Sequence, residues 1–217
     1  MFKVRIDDRI TDDSLLTNKA YYLYTYLKLY AKGNQYVYIY LNELMELLQW
    51  KDKKTVKKYL IELKKLKYIY YDFGEENSFP INQPLHINIL QSEHNETFTQ
   101  IDINTIQKLQ NIGKEIEVIN YKDKNKNIII SDLKEITLRL FYLYEKNYFR
   151  KEGNGTKIAY AKLGYVTKCS DKNIKAINNT LVKRNMLEVI VGKRHNTNSR
   201  RTVNEYKPIC NNEPENE

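Results

Sequence analysis

Residues 51–71 read "KDKKTVKKYLIELKKLKYIYY", with eight lysines among 21 positions threaded through valine, leucine, isoleucine and tyrosine. Val56, Leu60, Leu63 and Lys67 fall on one side of a 3.6-residue period, and Tyr59 and Leu66 widen the stripe, which predicts an amphipathic helix. Asp52 stands where an N-cap belongs, three residues before Thr55. After Leu66 the run "KYIYYDF" turns aromatic and β-branched, which predicts a strand. Lysine density by itself fits any solvated helix, so the neighbouring segments decide the reading.

Upstream, "NELMELLQW" places Leu44, Leu47 and Leu48 on a short helix, and "QWKD" is a tight turn between the two helices. "YVYIY" (36–40) predicts a short strand. "TNKAYYLYTYLKLYAKGN" predicts a long helix stopped by Gly33 and Asn34. Downstream, the loop "GEENSFPINQP" leads to a returning strand, "LHINIL". The order is helix, strand, helix, turn, helix, strand, loop, strand. That is the winged helix-turn-helix layout, in which the third helix reads DNA and the hairpin is the wing.

The second half repeats this order. "SDLKEITLRLFYLYEKNYFRK" predicts a long helix from Ser131, with Leu133, Ile136, Leu140 and Leu143 inward. "TKIAY" stands where "YVYIY" stood, "AKLGYVTKC" is the short helix and "SDKNIKAINNTLVKRN" the reader. "MLEVIVGK" and "TVNEYKPI" make a hairpin around "RHNTNSRR". The two readers align without a gap: Ser170 falls on Asp52, Asn173 on Thr55, Ile174 on Val56, Leu181 on Leu63, Met186 on Tyr68 and Leu187 on Ile69. Two copies in register require caps, periods and hairpins to coincide twice. The expected fold is therefore mainly α with small β-hairpin wings (α+β), as two tandem winged helix-turn-helix domains. Domain 1 spans 1–90 and domain 2 spans 128–210. Residues 91–127 form a linker with a helix, read from Ile103, Ile106, Leu109, Ile112 and Ile116; it packs on either domain or forms a dimer surface. The acidic tail, 211–217, is expected to be disordered.

With 41% hydrophobic and 29% charged residues the chain can bury cores. No apolar run is long enough to cross a bilayer, and the start "MFKVRIDDRITDD" lacks a secretory apolar region. Cys169 and Cys210 stand far apart without a CxxC, which suits a reducing cytoplasm. Net charge is +9 and unevenly spread. Residues 1–90 hold 14 Lys+Arg against 11 acids, whereas residues 128–210 hold 17 against 7, a surplus of ten.

The basic side chains supply the candidate contacts. On the first reader these are Lys53, Lys54, Thr55, Lys57 and Lys58, with Ile61 and Lys65 on the same outer or flanking faces. On the second they are Lys172, Asn173, Lys175, Asn179 and Lys183. Lysines at a reader's first turns suit phosphates and asparagines suit base edges. Asn173, Asn178 and Asn179 disfavour a helix, and a merely solvated helix gives no reason for them. Lys193, Arg194, Arg200 and Arg201 cluster in the second wing beside His195, where arginine can straddle the backbone or enter a minor groove. The first wing carries Glu75 and Glu76, which would repel phosphates, so packing or self-association suits it better.

Other chemistries find little support. Five tyrosines on one helix (Tyr21, Tyr22, Tyr24, Tyr26 and Tyr30) point some to the core and some to its edge with the hydroxyl outside. His86, His94 and His195 are scattered without an HxH, and no zinc spacing, phosphate-loop signature or Ser/His/Asp set occurs. The acids Asp7, Asp8, Asp12 and Asp13 are explained by helix capping and the dipole. No enzyme, metal or cofactor is expected.

"LTNKAYYLYTYLKLYA…YIYLNELMELLQWKDKKTVKKYLIELKKLKYI" resembles the winged helix-turn-helix units of mobile elements in low-GC Gram-positive bacteria. Such units open plasmid replication initiators and phage replisome organisers and occur in regulators. The tandem, with "LRLFYLYEK" opening the second unit, is similar to theta-type plasmid initiators of two winged helices. The resemblance covers residues 10–90 closely and 128–207 loosely. It implies sequence-specific binding of double-stranded DNA, at repeated origin sites for an initiator or at a promoter for a regulator. A homodimer and a replication or transcription protein are the further partners it leaves open. The competing expectation is a protein-interaction module whose lysines only solvate it.

Overall fold

The computed structural model describes residues 3–73, 79–80, 83–90, 97–120, 127–149, 156–190 and 204–209. Among them are eight helices and small antiparallel sheets, a mixed α and β architecture. The chain divides into two units, Met1–Ile103 and Asn104–Glu217.

The first unit runs β1 (Lys3–Asp7), α1 (Asp8–Asp12), α2 (Asn18–Ala31), β2 (Tyr36–Ile39), α3 (Leu41–Leu48), α4 (Lys53–Lys65), β3 (Ile69–Tyr70), β4 (Leu85–Ile89) and β5 (Phe98–Asp102). Helix α2 starts at a threonine cap, Thr17 Oγ1 accepting from the Ala20 N–H. Glu62 of α4 then fixes that start from outside: its carboxylate accepts from the Thr17 N–H at 2.7 Å and from the Thr17 hydroxyl at 3.0 Å. The helix ends with Lys32 in the left-handed region (φ 48°), followed by Gly33 at φ 91°. In α4, Val56, Leu60 and Leu63 are buried at i, i+4 and i+7, the stripe expected from the period. Lys67 lies beyond the helix, exposed and left-handed (φ 60°), so it is no part of that stripe. Strand alternation puts Val37 and Ile39 of β2, and Leu85, Ile87 and Ile89 of β4, into the core.

The second unit holds the body of α5 (Ile103–Gly113), then β6 (Ile116–Ile119), β7 (Ile128–Ser131), α6 (Lys134–Phe149), β8 (Thr156–Lys157), α7 (Tyr160–Thr167), α8 (Asp171–Lys183), β9 (Leu187–Ile190) and β10 (Glu205–Pro208). Ile174 and Leu181 of α8 mirror Val56 and Leu63, Asn178 takes the buried place of Leu60, and Ile177 is buried where Tyr59 is half-buried. Tyr144 stacks on Tyr206 at 4.5 Å and donates its hydroxyl to Asn178 Oδ1 at 2.8 Å. Asn178, expected among the helix-unfriendly polar residues, is thus a buried hydrogen-bond acceptor.

The repetition reaches the backbone. Helices α3 and α7 are both 8 residues long, and α4 and α8 both 13. Asp52 and Ser170 cap α4 and α8 with their side chains. Lys67 (φ 60°) and Asn185 (φ 53°) share one aligned left-handed position. Tyr68 N–H bonds Leu63 C=O at 2.9 Å, and Met186 N–H bonds Leu181 C=O at 2.8 Å. Strand order repeats as well, β2–β4–β3 and β8–β10–β9, all antiparallel.

Of the five α2 tyrosines, Tyr21, Tyr22, Tyr24 and Tyr26 lie in the core at 3% exposure or less, whereas Tyr30 is half-buried at the edge and donates its hydroxyl to Glu43 at 3.0 Å, the division expected. Tyr22 packs on Tyr26 and Trp50, and Tyr24 on Tyr68. Other expectations are corrected. Helix α6 begins at Lys134 rather than Ser131, since Ser131 still pairs with Ile116. Leu133 and Ile136 are half-buried rather than inward. Ile116 belongs to no helix: α5 stops at Gly113, and β-branched "IEVI" pairs with "IIIS" as β6–β7. Asp8 and Asp13 act as acceptors for Thr99 Oγ1 and the Tyr68 hydroxyl, both at 2.8 Å, beyond any role at a helix start. The charged start and the polar stretch before α5 also form a sheet, β1–β5, with Val4 and Ile6 buried.

Candidate nucleic-acid interface

Helix α4 carries Lys53, Lys54 and Lys58 exposed, with Thr55 and Lys57 half-buried. Asp52 explains part of this arrangement. Its carboxylate accepts from the Lys54 N–H at 2.9 Å and the Thr55 hydroxyl at 3.2 Å, so Thr55 is engaged in the cap. Those bonds, the Lys54 N–H first, hold the Asp52 carboxyl below its usual range. Lys57 Nζ lies 5.2 Å from the Phe79 ring centroid and Lys58 Nζ 5.5 Å from that of Tyr59, both cation–π distances.

Helix α8 brings four predicted residues onto one face. Lys172, Lys175, Asn179 and Lys183 follow i, i+3, i+7 and i+11 and are exposed. Asn173 lies half-buried on the flank, its N–H on the Ser170 cap at 3.4 Å and its side chain hydrogen-bonded to the Cys169 thiol. It belongs to the helix start rather than to the outer row. The four second-wing residues, Lys193, Arg194, Arg200 and Arg201, lie outside the described residues, as do Glu75 and Glu76 of the first wing.

One neighbour of that face has no counterpart among the sequence expectations. Strand β6 runs beside α8, and a groove of about 250 Å³ lies between them. Lys172, Lys175, Asn179 and Lys183 line one wall; Glu117, Ile119 and Ile128 line the other. Lys183 Nζ reaches Glu117 Oε2 at 2.7 Å, and Arg184 Nη2 reaches Glu115 Oε2 at 3.5 Å. The hydrogen bond from Lys183 holds the Glu117 carboxyl below its usual range. The face thus combines an exposed basic row with an acidic rim at its C-terminal end. The available signal was "IEVIN" and "NIIIS" flanking the polar "YKDKNK", a hairpin pattern that the regular isoleucine spacing of 103–116 obscured.

What the face can do follows from its groups. Three ammonium heads and one carboxamide in a row offer hydrogen-bond donors and positive charge to an anionic, groove-bearing partner. Among the described residues no three His, Cys, Asp or Glu side chains come together to hold a metal ion, and no helix is long and apolar enough to cross a membrane. Compared with protein-family models, curated proteins and solved structures, the chain finds no match.

Proposed function

We propose that this chain is a tandem winged helix-turn-helix protein that binds double-stranded DNA sequence-specifically. The observation that carries the reading is the exposed row Lys172, Lys175, Asn179 and Lys183 on the second helix of a repeated helix–turn–helix. Such a helix fits a major groove, with lysines on phosphates and Asn179 on a base edge. The ten-charge surplus of residues 128–210 supports a larger share of phosphate affinity for the second unit. On the first unit, Lys54 and Lys58 form a sparser reader.

The test is binding to duplex DNA across a salt series. With about six to eight phosphate contacts, log K should fall against log salt with a slope of roughly −5 to −7. A flat slope would sink the reading. Substituting Asn179 or Lys58 should change sequence preference more than overall affinity. Alanines at Arg194, Arg200 and Arg201 should weaken binding to any duplex.

Within this reading the biological role is replication initiation on a bacterial mobile element, in which tandem readers engage repeated origin sites. Repeated sites beside the gene, footprinted by the protein, support it; protection confined to a promoter makes the chain a transcriptional regulator. If neither unit shifts duplex DNA in the presence of competitor, the chain is a protein-interaction module instead.

A further inference from the structure

The tyrosines of α2 are buried, but a second set is not. On the outer face of the β2–β4–β3 sheet, Tyr36 and Tyr38 are each 59% exposed and Tyr70 is 53% exposed. Register places them together: Tyr36 and Tyr70 both pair with Asn88, from opposite sides, and Tyr38 pairs with His86. The Tyr38 and His86 rings meet edge to face at 4.6 Å. A shallow groove of about 270 Å³ runs over this face. Water-facing sheet positions ordinarily carry charged or small polar groups, so three clustered aromatic rings left in water mark a binding surface.

The second unit provides an internal control. The position of Tyr70 is taken there by Glu188 and that of Asn88 by Lys207, which pair across the strands at 3.6 Å. The same architecture is therefore stable with an ordinary charged pair at these places. An aromatic ring at the position of Tyr70 is not needed to build the sheet.

We propose that this face is a stacking platform for single-stranded nucleic acid, with Tyr36, Tyr38 and Tyr70 each taking a base. Spacing favours a single strand. Alternate residues of a strand stand about 6.8 Å apart, roughly twice the ~3.4 Å per nucleotide of a duplex strand, so only unstacked bases can match. Charge favours a polyanion over a second copy only modestly, because residues 1–90 carry 14 Lys+Arg against 11 acids, a surplus of three. At the β3 edge Lys64 donates its ammonium to the Tyr71 carbonyl at 2.7 Å and lies 5.5 Å from the Tyr70 ring, where its remaining N–H groups can meet a phosphate. Asp72 is the acid that lines the groove, together with His86. His86 and Asn88, set between the rings, offer hydrogen bonds to base edges. Stacking of this kind tolerates any base.

The experiment measures anisotropy of a labelled twelve-residue oligothymidine with the full chain at low salt, in parallel with a duplex. Replacing all three tyrosines with phenylalanine keeps the rings and should leave affinity within about twofold. Replacing them with serine should cost about fivefold or more per ring. Tyr70→Glu with Asn88→Lys imports the second unit's own pair, so it tests the face without endangering the fold; it should weaken oligothymidine at least fivefold and leave duplex binding unchanged. The proposal is overturned if these variants bind the oligomer like the parent, or if the parent does not bind it. It is also overturned if Lys172→Ala with Lys175→Ala abolishes the binding instead, or if a proline-rich peptide binds the face and the oligomer does not. Because the oligomer is single-stranded and the duplex is measured separately, failure here is distinguishable from failure of the duplex reading.

Discussion

Lys183 Nζ lies 2.7 Å from Glu117 Oε2, joining the outer face of α8 to strand β6. Both side chains are about half or more exposed, so the pair is weak in itself. Its significance is its place: a carboxylate occupies the spot where the proposed interface would put a phosphate. Glu115 does the same for Arg184 at 3.5 Å.

Replacing both acids, Glu115→Gln with Glu117→Gln, should therefore raise duplex affinity about two- to fivefold and steepen the salt slope by up to about two. The Glu117 carboxyl is held low by Lys183. The pair is thus complete at neutral pH and is lost as pH falls through the lowered value, so the gain should be full at pH 7. Equal affinity of parent and variant across salt would show that the acids do not compete for these cations.

Gly113 admits no side chain. A Cβ there would collide with Lys134 Cα, because the end of α5 lies against the start of α6 and Leu133 N–H bonds Gly113 C=O at 2.6 Å. Backbone atoms cannot yield as a side-chain tip can. Gly113→Ala should destabilise the second unit by about 1–3 kcal/mol, read by thermal unfolding. An unchanged melting temperature would contradict the close approach.

Asn178 connects α8 to the core of its unit by accepting from the buried Tyr144 hydroxyl. Asn178→Leu should leave that hydroxyl without its acceptor and cost about 1–3 kcal/mol. Pairing it with Tyr144→Phe, which removes the donor too, should restore part of the loss. A double-mutant cycle measures the coupling, and strict additivity would refute it.

Cys169 is the thiol next to the cap of α8. Burial pushes it up to about 11, with Asn173 and the Ser170 N–H acting the other way. At pH 8 little thiolate forms, so in a Cys210→Ser background disulfide-reagent modification should run several-fold slower than for a free cysteine. The folded thiol keeps its proton where the unfolded one loses it. Its contribution to stability is therefore intact below about pH 8.5 and declines as pH rises toward 11. Reaction at the free-cysteine rate at pH 8 would contradict this.

Much of the local order was legible in the residues themselves. Val56, Leu60 and Leu63 announce a helix because a 3.6-residue repeat can bury only one stripe, and Asp52 and Ser170 announce its start because they satisfy orphan N–H groups. The gap-free match of α4 with α8 carried the repeat, down to the left-handed turn shared by Lys67 and Asn185. Periodicity could not say where Tyr21 to Tyr26 point, since a ring is apolar enough for the core and polar enough for its edge. Nor could it separate β6 from α5, because isoleucines at helical spacing ran on past Gly113 until pairing with β7 claimed Ile116.

Side-chain chemistry and spacing alone thus determined the two matching runs of elements, α2 to β4 and α6 to β10, the Val56–Leu60–Leu63 stripe and the basic outer row of α8, but not β1, β5, β6 or β7. Only the tertiary structure decided which groups share a surface. Glu117 lies 66 residues from Lys183, and Tyr36 lies 34 from Tyr70. Neither pairing has a local signature, because strand register and helix docking are set by burial of the opposite faces, and the exposed side chains are carried along with them.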